Sequence, residues 1–310
     1  MVLSRTLSGT LLVAGAATLW GFNGTISTAV MEAGLPPSRL AEARIVIGAL
    51  ILLAWLVWRD RASLRLTRRE ALMFAVFGIV GLVGVQWFYF EAISRIPVSI
   101  SLVIEYSAPL VVALWVRFAW KRRLPWQAWA AIPVALVGLA LVLDLAGGVD
   151  ERLSMLGVAL SVCAAACYAY YALHAERLTQ RRSATSVLGI GLAFGALALL
   201  IVQPPWSFPF DGLQVETDAL GVALPLWPLL LWVAVFGTVV PFAMLISGVR
   251  RMGADGATVT AMIEPIVAGA FAWALLGQSL GVGQIIGGLI VLAAVAWAQL
   301  SRARSEVTPA

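Results

Sequence analysis

Two carboxylates stand where an apolar chain should carry none. Glu105 lies in the apolar run 98–120, four residues before Pro109, and Glu264 lies in the run 256–276, directly before Pro265. A charge in such a run is costly to bury and is by default a functional candidate. Proline in a helix interior removes one hydrogen bond and frees the carbonyl four residues back. For Pro109 that carbonyl is Glu105's own, and for Pro265 it is Ala261's. The chemistry on offer is binding. A carboxylate at a helix kink can hold a proton, or the cationic group of a small substrate, and switch charge as access changes. The alternative is a buried acid paired with an arginine or a backbone donor, ordering the packing and nothing more.

Other residues could complete such a site. Arg44, in Ala41-Glu42-Ala43-Arg44, is expected to pair with Glu105 or to meet a substrate carboxylate. Glu42 points elsewhere and reaches Arg39 three positions back. Trp20, Trp87, Tyr168 and Tyr171 are expected to wall a cavity suited to an amphipathic or aromatic metabolite. Contact with lipid or core packing is the other reading of these rings. Asn23 and Gln86 supply hydrogen bonds inside a cavity, or glue helices together. Pro241 adds a third kink. Cys163 and Cys167 share a helix face and read as small packing residues. His174 reads as an interfacial polar residue, and Gly191 with Gly195 as a close-packing face, within the chain or between two copies as a homodimer. One histidine, no metal-ligand cluster and no phosphate-binding loop point to no metal, no cofactor and no enzyme. Any driving force comes from a gradient.

The elements that must position these residues follow from composition. The chain is 61% hydrophobic and 12% charged, with a mean hydropathy of +0.94. Soluble domains carry about 25% charged residues, so this chain belongs in a lipid bilayer. A net charge of +5 raises the question of nucleic acid. The charges lie in short clusters between apolar runs and form no stripe, which excludes it. Ten runs approach the roughly 20 residues a spanning helix needs: 8–29, 38–58, 71–91, 98–120, 126–145, 154–174, 186–203, 227–247, 256–276 and 281–300. The first continues through Trp20-Gly21-Phe22-Asn23 without a cleavage site, so it reads as a helix and not a signal peptide. The expected fold is all-α and integral to the inner membrane, with ten transmembrane helices. The segment 203–226 is expected to be an extramembrane loop. With the N-terminus inside, seventeen of the 21 Lys and Arg fall on the cytoplasmic side, which puts both termini in the cytoplasm.

A shift of 156 positions lays Pro109 on Pro265 and Gly81 on Gly237, and a shift of 148 lays Trp20 on Tyr168. The chain is therefore read as two five-helix units, 1–148 and 149–310. Five is odd, so the second unit enters the membrane from the opposite side, an inverted repeat suited to alternating access. The acids are one helical turn out of register, because the 156 shift lays Ala108 on Glu264 and Glu105 on Ala261.

Several features together resemble the ten-helix, EamA-type members of the drug/metabolite transporter superfamily. They are Leu19-Trp20-Gly21-Phe22, Arg44, the stretch Tyr89 to Pro97, Pro109, Glu264-Pro265, Leu276-Gly277-Gln278-Ser279-Leu280, and Gln284 with Gly287. The family usually shows Leu-Gly-Glu where this chain has Leu276-Gly277-Gln278. The resemblance implies a central cavity between the two halves, lined by helices 1, 3, 4, 6, 8 and 9, and export of amino acids or related metabolites. The expectation is a secondary exporter of small amphipathic molecules, with Glu105 as proton-coupling or ammonium-binding group. Its rivals are efflux of lipophilic or aromatic cations, and a non-transporting membrane protein such as a lipid scramblase.

Overall fold

The structure, a computed structural model, describes residues 2–96, 98–142, 154–219, 222–276 and 281–307. Pro97, Arg152, the boundary at 148/149 and residues 277–280 of the Leu276–Leu280 motif lie outside the described residues, as does the side chain of Trp273.

Apolar runs become helices because only a helix satisfies its own backbone groups in lipid. Here they are α1 (Val2–Glu32), α2 (Pro37–Arg59), α3 (Arg68–Ile93), α5 (Trp126–Val142), α6 (Met155–Thr179), α7 (Ala184–Val202), α8 (Leu226–Met252) and α10 (Val282–Val307). Two more are broken: α4 into α4a (Val98–Glu105) and α4b (Ala108–Phe118), and α9 into α9a (Ala254–Ala261) and α9b (Glu264–Leu276). Among the described residues, six spans are long and apolar enough to cross a membrane: α2, α3, Ile100–Phe118 of α4, α6, α7 and α8. The apolar stretches Trp126–Val142 and Val282–Ala298 are shorter, and α9 is divided into pieces of 8 and 13 residues.

Local signals set the ends. Thr67 and Glu70 form a capping box at the start of α3, Ser154 and Ser183 cap α6 and α7, and Pro37 opens α2. The break in α4 falls at Tyr106 and Ser107, and the break in α9 at Met262 and Ile263, 156 positions later. Pro109 and Pro265 are therefore not mid-helix kinks. Each sits in the first turn of the helix that follows, where a missing N–H costs nothing. Helices α3 and α8 both loosen into π-helical turns, at Phe77–Gly84 and Val235–Val239.

The packing pairs helices in a reciprocal pattern. α1 lies against α8 as α6 lies against α3. α1 lies against α9 as α6 lies against α4, α2 against α8 as α7 against α3, and α5 against α10. The close-packing face on α7 is used within the chain: Gly78 of α3 sits so near Gly191 and Gly195 that a Cβ there would strike the Gly191 carbonyl. Gly78→Val is thus expected to lower the unfolding free energy by about 1–3 kcal/mol, the cost of overpacking a tight contact. A thermal-unfolding series in detergent that leaves this variant at the wild-type midpoint would refute the contact.

Segment 203–226 is not a plain loop. It carries a two-stranded antiparallel hairpin, β1 (Glu216–Ala219) with β2 (Val222–Pro225), Glu216 standing opposite Pro225. Arg39 Nη2 donates to Ser207 Oγ at 2.6 Å and Thr217 Oγ1 to the Ala29 carbonyl at 3.4 Å, tying this segment to the ends of α1 and α2. Arg39 also pairs with Glu42 at 2.6 Å, as the spacing predicts. Cys167 packs against Gly84, His174 stacks on Tyr170 one turn away, and both cysteines are free thiols.

Candidate substrate and coupling site

The site is built at the two breaks. Glu105 is the last residue of α4a and Glu264 the first of α9b. The one-turn offset between them has this consequence: one acid closes a helix and the other opens one. A helix N-terminus presents free N–H groups and attracts negative charge, whereas a C-terminus presents carbonyls and repels it. Glu264 also accepts a hydrogen bond from the Tyr106 hydroxyl at 2.8 Å. That bond joins the break of α4 to the break of α9. Among the described residues Glu105 makes no ion pair. Both acids lie deep among packed side chains yet keep some accessible surface. They are electrostatic neighbours of one another, of Tyr106, and of Tyr89 and Tyr168.

Arg44 corrects the expectation made for it. It does not pair with Glu105. Pro241 has no N–H, so the carbonyl four residues back, that of Gly237, is left without its helical partner. Arg44 takes it: Nη2 donates to the Gly237 carbonyl at 2.7 Å and Nε to Thr238 Oγ1 at 3.0 Å. The guanidinium lies 5.6 Å from the centre of the Phe90 ring, and the Tyr89 hydroxyl and the Glu264 carboxyl are its electrostatic neighbours. Trp20 Nε1 donates to the same Gly237 carbonyl at 3.0 Å. The kink at Pro241 thus acts as an acceptor that gathers α1 and α2 onto α8. Gly237 leaves room for the Asn23 side chain, which a Cβ there would push aside.

The aromatic residues form a chain through this region. Trp20 meets Phe242 edge-on at 5.1 Å, Phe242 meets Tyr171 at 5.6 Å, and Tyr171 stacks with Tyr168 at 6.3 Å. Tyr171 is fully buried, and among the described residues its hydroxyl has no hydrogen-bond partner. The same holds for Asn23 Oδ1 and Gln86 Oε1. Asn23 Nδ2 donates to Ser27 Oγ at 3.2 Å, and Gln86 Nε2 to the Leu82 carbonyl at 3.3 Å. Buried polar atoms left open in this way are available to a polar ligand. The structure therefore brings together Glu105, Glu264 and Tyr168, and separately Arg44, Trp20 and Asn23 around Gly237. Gln86 bonds within its own helix, and Trp87 packs, as Trp20 does, on the cluster that holds Tyr168 and Tyr171. Sequence reasoning missed Tyr106, Tyr89 and Thr238 as members of the group. Tyr106 carried a signal in its place beside Glu105 and Tyr89 in the stretch Tyr89 to Pro97, whereas Thr238 carried none. Among the described residues no group of three or more His, Cys, Asp or Glu could hold a metal ion.

A model of the EamA-like transporter family matches residues 7–144 and 155–299 of this chain. The chain is 25% identical to the uncharacterized inner membrane transporter YicL of Salmonella typhimurium, over 94% of this chain and 95% of YicL. It is 28% identical to the threonine/homoserine exporter RhtA of Escherichia coli K12, over 85% of this chain and 82% of RhtA. One solved crystal structure superposes with a TM-score of 0.77 at 21% identity, covering 96% of this chain and 99% of that one. That likeness speaks for the fold.

Proposed function

This chain belongs to the EamA-like transporter family, and on that premise we propose that it is a secondary exporter of small zwitterionic metabolites, amino acids first. The family is one of transporters and not of enzymes. In this reading all ten helices cross the inner membrane as two inverted units, 1–148 and 149–310, with both termini in the cytoplasm. The reciprocal helix pairs and the breaks 156 positions apart support it. Two units related in this way can exchange an outward-open for an inward-open arrangement about a fixed central site.

The observation that carries the substrate reading is the meeting of the two breaks through Tyr106 and Glu264. An anionic carboxylate at a helix N-terminus, with a phenol at 2.8 Å, fits a substrate ammonium group. Glu105, at a carbonyl-rich helix end and without an ion pair among the described residues, fits the exchange of a proton for substrate. A relative named as a threonine/homoserine exporter agrees with that class. The stacked rings of Tyr168 and Tyr171 favour a second reading, efflux of aromatic cations held over ring faces.

One panel separates the two. Cells overexpressing the protein are grown against toxic amino-acid analogues and against cationic dyes. The expected result is resistance to analogues, lost in Glu264→Gln. Resistance confined to the dyes would replace the first reading by the second.

A further inference from the structure

At the Arg-rich end of the molecule one buried carboxylate ties two helix ends together. Glu176, near the end of α6, is only 7% exposed. Its Oε1 meets Arg122 Nη1 at 2.5 Å, from the link after α4b. Its Oε2 accepts the backbone N–H of Ala254 at 2.7 Å, the first residue of α9a. Gly253, at φ +83, makes the tight turn that aims that N–H at the carboxylate. Trp120 lies between two guanidiniums, with Arg122 4.7 Å and Arg177 4.9 Å from its ring centre. One side chain of α6 therefore fastens the ends of α4 and α9, the two helices that carry the acids. It also ties the 1–148 unit to the 149–310 unit, since Arg122 belongs to the first and Glu176 and Ala254 to the second.

The tie is backed by apolar packing. Among the described residues the largest apolar cluster joins α1, α2, α3, α4b, α6, α7, α8 and α9a, and it holds Val116, Val249 and Met252 beside the tie. A separate cluster of α4, α5, α9 and α10 reaches the same end at Ala298. A cavity of about 490 Å³ lies at the Arg-rich face, with Arg122 and Glu176 in its wall beside Val116 and the exposed Arg123, Arg250 and Arg251.

We infer that Glu176 is the latch of the Arg-rich gate, a positioning residue that must release Arg122 before α4 and α9 part there and substrate passes. This rests on the alternating-access reading above. Glu176 touches no substrate; it sets how often the gate opens. A part-buried ion pair is a suitable latch, because removing one partner shifts a two-state equilibrium by a fixed factor without altering the site.

The test needs no substrate. In a Cys163→Ser, Cys167→Ser background, Val116→Cys places a thiol at a fully buried position beside the tie. Its labelling by a membrane-impermeant maleimide is followed from the Arg-rich side of the full-length protein in oriented vesicles. Glu176→Gln keeps an oxygen for the Ala254 N–H and loses the ion pair. It is expected to raise the labelling rate about fivefold or more. Arg122→Gln should do the same, and the double variant should add nothing further, since both remove one interaction. Glu176→Asp should return the rate toward wild type. Unchanged labelling in Glu176→Gln, or singles that add independently in the double, overturns the latch. If the labelling pattern holds while no substrate of the panel is moved, the latch stands and the substrate reading falls.

Discussion

Glu105→Gln abolishes gradient-driven efflux and spares substrate exchange, whereas Glu264→Gln abolishes both. This is the expected outcome if the two acids divide the work that their positions suggest. Glu264 opens α9b, where the free N–H groups and the Tyr106 hydroxyl hold it as a standing negative charge for a substrate cation. Glu105 closes α4a among carbonyls, with no ion pair among the described residues, and is the better placed to trade its charge for a proton. Glutamine keeps the shape of each and cannot titrate. In proteoliposomes loaded with labelled substrate, Glu105→Gln should lower pH-driven efflux by at least about 100-fold, or about 2.7 kcal/mol of barrier. Exchange against unlabelled substrate at equal pH should stay within a few-fold of wild type. Glu264→Gln should lose about 100-fold in both assays, because it removes the substrate's counter-charge in either mode. Driven efflux that persists in Glu105→Gln, still responding to the pH gradient, would remove Glu105 from the coupling step.

This division also shows what the sequence could and could not convey. The acids, the prolines and the 156-residue offset were all legible, because each is a violation of the lipid rule and violations stand out. The breaks at Tyr106 and Met262 obey the same offset. Their exact place was legible too, once proline is taken as a starter of the next helix and not as a kink in one. The pairing of Arg44 was not legible. Arg44 and Glu105 are both costly charges in apolar runs, and charge complementarity put them together. That argument ignored a competing acceptor, a carbonyl that Pro241 sets free on another helix. Which face α2 turns to α8 is decided by packing, with Gly48 lying against Val239 and Leu192, and no periodicity in the sequence reports it. Tyr106 was overlooked for a related reason. Beside a carboxylate in an apolar run a tyrosine reads as packing, and only the approach of α9 gives its hydroxyl a purpose.

Arg44→Lys should then prove far from conservative. Lysine keeps the positive charge near Glu264 and Tyr89, so a purely electrostatic role would survive the change. The observed role is geometric. The guanidinium holds the Gly237 carbonyl and the Thr238 hydroxyl with two different nitrogens, 2.7 and 3.0 Å away, and lays its plane near Phe90. A single ammonium lacks the planar fork that aims two N–H groups from separate nitrogens at the two acceptors, and it is the more strongly hydrated ion, so its burial costs more. Losing one charge-assisted hydrogen bond in a buried setting costs about 1.5–3 kcal/mol. The unfolding midpoint in detergent should fall accordingly, and substrate exchange should drop at least about tenfold, because α2 no longer holds the loosened turn of α8 in place. Arg44→Lys combined with Pro241→Ala is the informative partner. Alanine returns an N–H at position 241 that can take the Gly237 carbonyl back into the helix. Part of the stability lost in Arg44→Lys should return in the double variant, while transport stays low because the Gly237 carbonyl is drawn back into the helix and away from Trp20 and residue 44. If Arg44→Lys exchanges substrate at the wild-type rate, the charge alone suffices. The freed carbonyl would then be a detail of packing and not the anchor of the site.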